Sequence, residues 1–308
     1  MQTTLRDNLA KLSPFVKLFF DILIMIITFF IFVFVLMFFF NVLGSTSYTE
    51  ALNFNPQKAT QYKIIQGLYS LSLFAFPAFL IAFLFCSKPF SYLHFNNKSN
   101  IINFFIVFFL FIFSIPLINV LATFNNELTL PASLSKLEII MKQMEQKAMD
   151  LTENLLKVNS TWQFFLNLLI IAIIPAIGEE FLFRGIFQKH FTEISKNPHI
   201  AIIITSFIFS AIHFQFFTFL PRFVLGLVLG YIFYWSGNLW LSIFGHFVNN
   251  SVAVFVYFIA TLNSISIDKT ANEIGSNKGQ FVYVIISIVF VFLLLYLLPF
   301  FFFNDTAT

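Results

Sequence analysis

Charge is the scarcest thing in this chain. Of 308 residues, only 10% are Asp, Glu, Lys or Arg, against about a quarter in soluble domains. Such a chain cannot keep a water-facing surface polar, so a soluble globular domain is excluded. The net charge is +3, too small and too dispersed for a nucleic-acid surface. The single cysteine, Cys86, excludes an intrachain disulfide framework and a cysteine-based zinc site. In these surroundings it reads as a small apolar filler. No Walker A or glycine-rich dinucleotide loop occurs, so no nucleotide is implied. There is no His-Glu-x-x-His segment, and no serine sits beside a histidine in a nucleophile motif. Ser206 and Ser210 read as packing residues.

What is present is hydrocarbon. The chain is 59% hydrophobic and 20% aromatic, with 50 phenylalanines, and its mean hydropathy is +0.88. A bilayer core needs roughly 20 apolar residues per helix. Eight runs approach or exceed that length, at about 18–40, 64–86, 101–123, 163–187, 200–217, 220–235, 239–261 and 281–303. They predict an all-α, polytopic membrane bundle of about eight transmembrane helices in one integral membrane domain. Residues 1–160 would supply three N-terminal spans and an amphipathic segment, 161–261 the core spans that carry the chemistry, and 262–308 the last span. The first run is too long for a signal-peptide core and is read as a retained span. Asp21 near its start reads as interfacial. Pro77 and Pro116 predict kinks, and Asn53-Phe54-Asn55-Pro56 predicts a turn. Lys and Arg are in excess in the N-terminal tail and at 87–100 and 188–197. With eight spans these stretches share one side, which puts both termini in the cytoplasm of a cell-membrane protein.

One stretch is polar but periodic. Between 133 and 158, Leu137, Ile140, Met141, Met144, Ala148, Leu151 and Leu155 recur at three- and four-residue steps. Lys136, Glu138, Lys142, Glu145, Lys147, Asp150, Glu153 and Lys157 lie between them. This is an amphipathic helix, too polar to span, lying along the interface or capping the bundle.

The informative residues are the polar ones inside the apolar runs. Gly178-Glu179-Glu180-Phe181-Leu182-Phe183-Arg184 lies within the fourth run. A charged group at that depth costs about 2.5–3.5 kcal/mol on insertion scales, so partners or a wet cavity must receive it. At about 100° per residue, Glu180 and Arg184 share a helix face, while Glu179 points about 140° away from Arg184. Glu180 is therefore the acid that Arg184 neutralises, and Glu179 is left for proton transfer. The fifth run contributes His213, and the sixth contributes Arg222 with Gly226 and Gly230. The seventh contributes His246 with Asn250 one turn on, Asn249 being less well aligned. His190 and His199 read as surface residues. Glu179 and His213 together suit activation of a water molecule, and His246 with Asn250 suits stabilisation of an oxyanion. The same residues leave a metal alternative, a zinc ion held by Glu179, His213 and His246. Nothing requires it, and the glutamate mechanism needs no cofactor.

Glu179-Glu180-x-x-x-Arg184, Phe209-x-x-x-His213 and His246-x-x-x-Asn250 resemble the three motifs of the CPBP family of intramembrane proteases. That family includes the eukaryotic CAAX prenyl endopeptidase and the bacterial Abi proteins. The stretch from Phe219-Leu220-Pro221-Arg222 through Gly226, Gly230 and Asn238 to His246 resembles the bacterial branch. The resemblance covers about residues 160–255. It implies an eight-span bundle enclosing a catalytic cavity, with Glu179 and His213 activating water. It also implies His246 and Asn250 at the oxyanion, and Glu180 and Arg184 supporting Glu179. The implied partners are a peptide or protein substrate at the membrane and the lipid bilayer, with no nucleic acid and no nucleotide. Two other classes compete: a non-catalytic immunity or binding protein of the same family, and a proton-coupled transporter. The transporter is disfavoured by the lack of internal repeats with paired broken helices.

Overall fold

Apolar runs in a bilayer fold into helices because each backbone N–H and C=O must find a partner inside its own segment. The computed structural model describes residues 5–43, 58–95, 97, 99–158, 160–263 and 281–305, and among these no strand occurs. The expected turn at 53–56 and the polar loop 264–280 lie outside the described residues. In chain order the helices are α1 (Leu5–Ala10), α2 (Pro14–Leu43), α3 (Ala59–Phe85) and α4 (Pro89–Tyr92). There follow α5 (Ile101–Asn126), α6 (Ser135–Leu156), α7 (Thr161–Ser195) and α8 (Pro198–Ala211). The series ends with α9 (Phe219–Ser236), α10 (Leu239–Leu262) and α11 (Phe281–Asp305).

The protein is a polytopic helical bundle. Among the described residues, seven helices are long and apolar enough to cross a membrane: α2, α3, α5, α7, α9, α10 and α11. The fifth expected span is the exception. It was expected over 200–217, but α8 stops at Ala211 and spans only 14 residues. Beyond it the chain reverses through Phe214, which takes a left-handed φ of 53°, and a 3₁₀ turn at Phe216–Thr218. Phe214, Phe216, Phe217 and Phe219 keep the stretch apolar on average, so hydropathy alone does not reveal the stop.

The outer helices present hydrocarbon outward. Phe15, Phe19, Phe30 and Phe34 of α2 and Phe292 and Tyr296 of α11 are each about 65–71% exposed, the surface lipid would cover. The inner helices α7, α8, α9 and α10 hold most of the buried polar groups. Their close approach depends on glycine. A Cβ on Gly226 would come within 2.9 Å of Ser206 Cβ and 3.1 Å of Ser206 Cα on α8. A Cβ on Gly230 would come within 2.9 Å of Ile202. The carbonyls of the same two glycines accept hydrogen bonds from α7, Gly226 from Arg184 at 2.9 Å and Gly230 from Gln188 at 3.1 Å. The spacing therefore lets three helices meet at one line.

Prolines open the helices, and neighbours close them. Pro116 lies inside α5. One residue on, the Ser287 hydroxyl of α11 donates to the Phe113 carbonyl at 2.5 Å and accepts from the Leu117 N–H at 3.3 Å. The serine stands in for the 117-to-113 helix bond that the ring disturbs, and thereby pins α11 to α5. In α3 and α7, Pro77 and Pro175 follow π-helical turns at Leu71–Ala75 and Leu168–Ile173, and a third π turn covers Phe183–Phe187.

Three expectations about polar residues are corrected. Asp21 is not interfacial and His190 is not a surface residue; both are fully buried. Asp21 Oδ2 lies 2.7 Å from His190 Nδ1, and His190 Nε2 lies 3.1 Å from the Tyr92 hydroxyl. Burial of each became affordable only because the other, nearly 170 positions away, supplies the hydrogen bond. Glu145, assigned to the charged face of the amphipathic helix, is 5% exposed and packs inward from α6. His199 is exposed as expected and meets the Tyr231 hydroxyl at 3.1 Å.

Gly226→Ala tests the packing line. In an open helix that change stabilises by roughly 0.5–1 kcal/mol. Here overpacking against Ser206 should cost about 1–3 kcal/mol, read as a lower melting midpoint in detergent.

Candidate active site

The site is built on α7. Pro175 has no N–H, so the Ile171 carbonyl one turn earlier loses its helical donor. That carbonyl lies 3.5 Å from the Asn250 side-chain amide of α10. The helix then carries Glu179 and Glu180 as adjacent residues on different faces, both buried.

Glu180 is the structural acid. Its Oε1 accepts from Arg184 Nη1 at 2.6 Å and from His246 Nδ1 at 2.8 Å. Arg184 is fully buried, and its Nη2 donates to the Gly226 carbonyl at 2.9 Å. One carboxylate thus joins α7, α9 and α10. The expected Glu180–Arg184 pairing is present, and the ring of His246 is an addition the spacing did not give. Phe209 of α8 sits at the centre. The Arg184 guanidinium lies 5.0 Å from its ring centroid, and its edge contacts bring His213 within 5.3 Å and His246 within 5.8 Å.

Glu179 faces the other way, into a cavity of about 300 Å³. Glu179, His213, Arg222, His246, Asn249 and Asn250 all line it, with Ile171, Pro175, Phe209, Leu225 and Ala253 as apolar walls and Thr152 and Leu156 from α6 across it. The five expected residues that needed to share a space do share one, and Glu180 and Arg184 lie behind it. Glu179 Oε2 is 3.8 Å from His246 Nε2, a longer contact than a hydrogen bond. Glu179 therefore has a neighbour from α10 that its own helix could not predict.

The partners fix the tautomers. His213 Nδ1 lies 2.8 Å from the Phe209 carbonyl, which only accepts, so Nδ1 carries the proton and Nε2 is left as an acceptor. His246 Nδ1 likewise gives its proton to Glu180, leaving Nε2 toward Glu179. As a metal centre the set is poorly assembled. Among the described residues no group of three or more His, Cys, Asp or Glu side chains is placed to hold a metal ion. The zinc alternative at Glu179, His213 and His246 thus lacks a preformed ligand cluster.

Residues 161–252 match the family model described as type II CAAX prenyl endopeptidase Rce1-like. The segment is Rce1-like. It holds Glu179, Glu180, Arg184, His213, Arg222, His246 and Asn250. A relative, the uncharacterized protein YpbD of Bacillus subtilis (strain 168), is 29% identical over 90 residues. That match covers 28% of this chain and 43% of YpbD, so the chain spans less than half the length of this curated relative. No solved structure matches the chain.

Sequence reasoning passed over two features of the Rce1-like site. Asn249, less well placed than Asn250 on the His246 face by helix spacing, lines the cavity beside it, with its amide 3.2 Å from Asn250 Oδ1. Thr218 and Gln215 were not singled out, yet both receive the Arg222 guanidinium, Thr218 Oγ1 at 2.6 Å and Gln215 through its side-chain oxygen. No periodicity marks these two, because they lie on the turn between α8 and α9.

The buried ion pair makes a sharp prediction. Arg184→Met should destabilise by about 3–5 kcal/mol, since Glu180 is left buried and short of a cation. Glu180→Met with Arg184→Met should recover part of that loss. Melting midpoints of both variants in detergent check it.

Proposed function

We propose that this protein is an intramembrane endopeptidase that hydrolyses a peptide bond of a membrane-associated peptide or protein. The observation that carries the reading is the convergence of Glu179, His213, His246 and Asn250 on one cavity within the Rce1-like segment. The Rce1-like match over 161–252 supports a CAAX-type protease at family level; the residue roles below are our assignment.

Glu179 is the general base. It has a cavity-facing carboxylate, whereas Glu180 is occupied by Arg184 and His246. A water held between Glu179 and His213 gives one hydrogen bond to His213 Nε2 and its other proton to Glu179. Its oxygen attacks the carbonyl carbon of the substrate. The carbonyl π electrons move to oxygen, and the Asn250 amide and His246 Nε2–H receive that oxyanion. Donation by His246 uses the doubly protonated ring, with Glu180 at Nδ1 as its counter-charge while Glu179 holds the proton taken from water. Collapse of the tetrahedral intermediate breaks the C–N bond, and Glu179 returns its proton to the leaving amine. The products are a carboxylate and an amine. Glu180 and Arg184 hold His246 and the base-bearing turn of α7, and no step passes through a metal.

The apolar walls of the cavity and its position among membrane-spanning helices support a substrate that arrives from the bilayer rather than from bulk water. The cell membrane is the proposed setting; seven crossings put the termini on opposite faces, and both termini in the cytoplasm requires the 14-residue α8 to complete an eighth crossing.

Membrane peptides from cells carrying wild type or Glu179→Ala, compared by mass spectrometry, test the reading. Cleavage products should fall by at least about 100-fold in Glu179→Ala, the low end for loss of a general base. Asn250→Ala should cost roughly 100- to 1,000-fold, as for one oxyanion donor. Unchanged products with Glu179→Ala would overturn the assignment. Cleavage that survives chelation by 1,10-phenanthroline fits the glutamate route, and its loss would bring zinc in.

A further inference from the structure

The Arg222 guanidinium in the cavity wall is not held by its own helix alone. Its Nη1 donates to Thr218 Oγ1 at 2.6 Å. The Thr218 hydroxyl in turn donates to Glu145 Oε1 at 2.8 Å. A guanidinium has no acceptor, and a hydroxyl has one proton. The direction of the chain is therefore fixed: Arg222 to Thr218 to the carboxylate of Glu145. The second oxygen of Glu145 accepts from the Phe217 N–H at 3.2 Å. Glu145 belongs to α6, which comes from outside the Rce1-like segment.

The same contact divides two spaces. On one side lies the cavity, lined by Arg222 and Glu179 and crossed by Thr152 and Leu156 of α6. On the other lies a polar hollow of about 310 Å³, lined by Asn119, Thr123 and Asn126 of α5 and also by Glu145 and Thr218. The far end of α6 is fastened separately. Its last carbonyls, of Leu156 and Lys157, accept from Asn167 at 3.1 Å and from the buried Lys63 at 3.0 Å.

We propose that Glu145 is a positioning residue for Arg222, acting through the Thr218 hydroxyl, and that this relay is the latch by which α6 closes the cavity off from the polar hollow. With the latch made, Arg222 is fixed at the wall and the roof residues Thr152 and Leu156 lie over the site. With it broken, α6 stays tethered at its C-terminal end by Lys63 and Asn167 and swings away from Thr218 at its middle, where Glu145 lies, which opens a polar route for peptide and water beside Arg222. The proposal rests on the hydrolase reading for its meaning, but its geometry is testable without a substrate.

The test uses full-length protein in detergent with Cys86→Ser and Leu225→Cys, so that the only thiol lies in the cavity wall at a buried position one turn from Arg222. The probe is a charged maleimide. Glu145→Ala and Thr218→Val should each speed labelling by about 10-fold or more, the worth of one charge-assisted hydrogen bond. Thr218→Ser keeps the hydroxyl and should label at the parental rate. The double variant Glu145→Ala with Thr218→Val should label no faster than either single change, as for residues acting in one chain. Labelling of Glu145→Ala at the parental rate, or of Thr218→Ser as fast as Thr218→Val, would overturn the proposal. If Glu145→Ala fails to fold, the Thr218 pair still decides. If Glu179→Ala leaves membrane peptides unchanged, the hydrolase reading fails while the labelling result stands.

Discussion

One carboxylate oxygen sets the arrangement of the interior. Glu180 Oε1 takes hydrogen bonds from Arg184 and His246 at once, in surroundings where an unpartnered charge is costly. Because Arg184 also reaches the Gly226 carbonyl, the pairing fastens α7 to α9 and α10 together. Phe209 of α8 fills the space between the guanidinium and the two imidazoles. Four helices are thus held in one register by groups that would be a liability anywhere else in the bundle. That register turns Glu179, the neighbouring residue on the other face, toward the cavity.

Disruption of regular helix serves the same end. A bilayer penalises every unpaired backbone group, and at three interruptions in this chain a neighbour's side chain supplies the partner. Ser287 bridges the gap beside Pro116, and Asn125 of α5 clamps the turn after α8, accepting from Leu220 N–H at 2.6 Å and donating to Phe216 O at 2.9 Å. The carbonyl left open by Pro175 faces the Asn250 amide, itself a wall of the cavity. Two of these interruptions flank polar side chains of the cavity, and the apolar helices α2 and α11 stand outside.

The segment from His213 to Arg222 is short, irregular and held from two sides, by Asn125 and by Glu145. Both anchors come from outside the Rce1-like stretch. The matched segment carries most of the residues that line the cavity, while Asn125 and Glu145 of the N-terminal half hold the turn before α9. This division gives the amphipathic helix a physical role that its composition alone did not.

Much was legible in advance. The apolar runs gave a membrane bundle because length and hydropathy decide whether a helix suits hydrocarbon. The i, i+4 spacing gave the Glu180–Arg184 pair because helix geometry is local. The sequence by itself determined seven of the eight expected spans, the placing of the acidic motif inside one of them and the residue types available for chemistry. Only the tertiary structure decided that Asp21 and His190 are buried together, that α8 stops short at Ala211, and that Glu145 turns inward to the Thr218 hydroxyl. It also decided that His246 takes the second place on Glu180. Each of these joins residues far apart in the chain, and the free energy of burying a polar group depends on a partner that local periodicity does not encode.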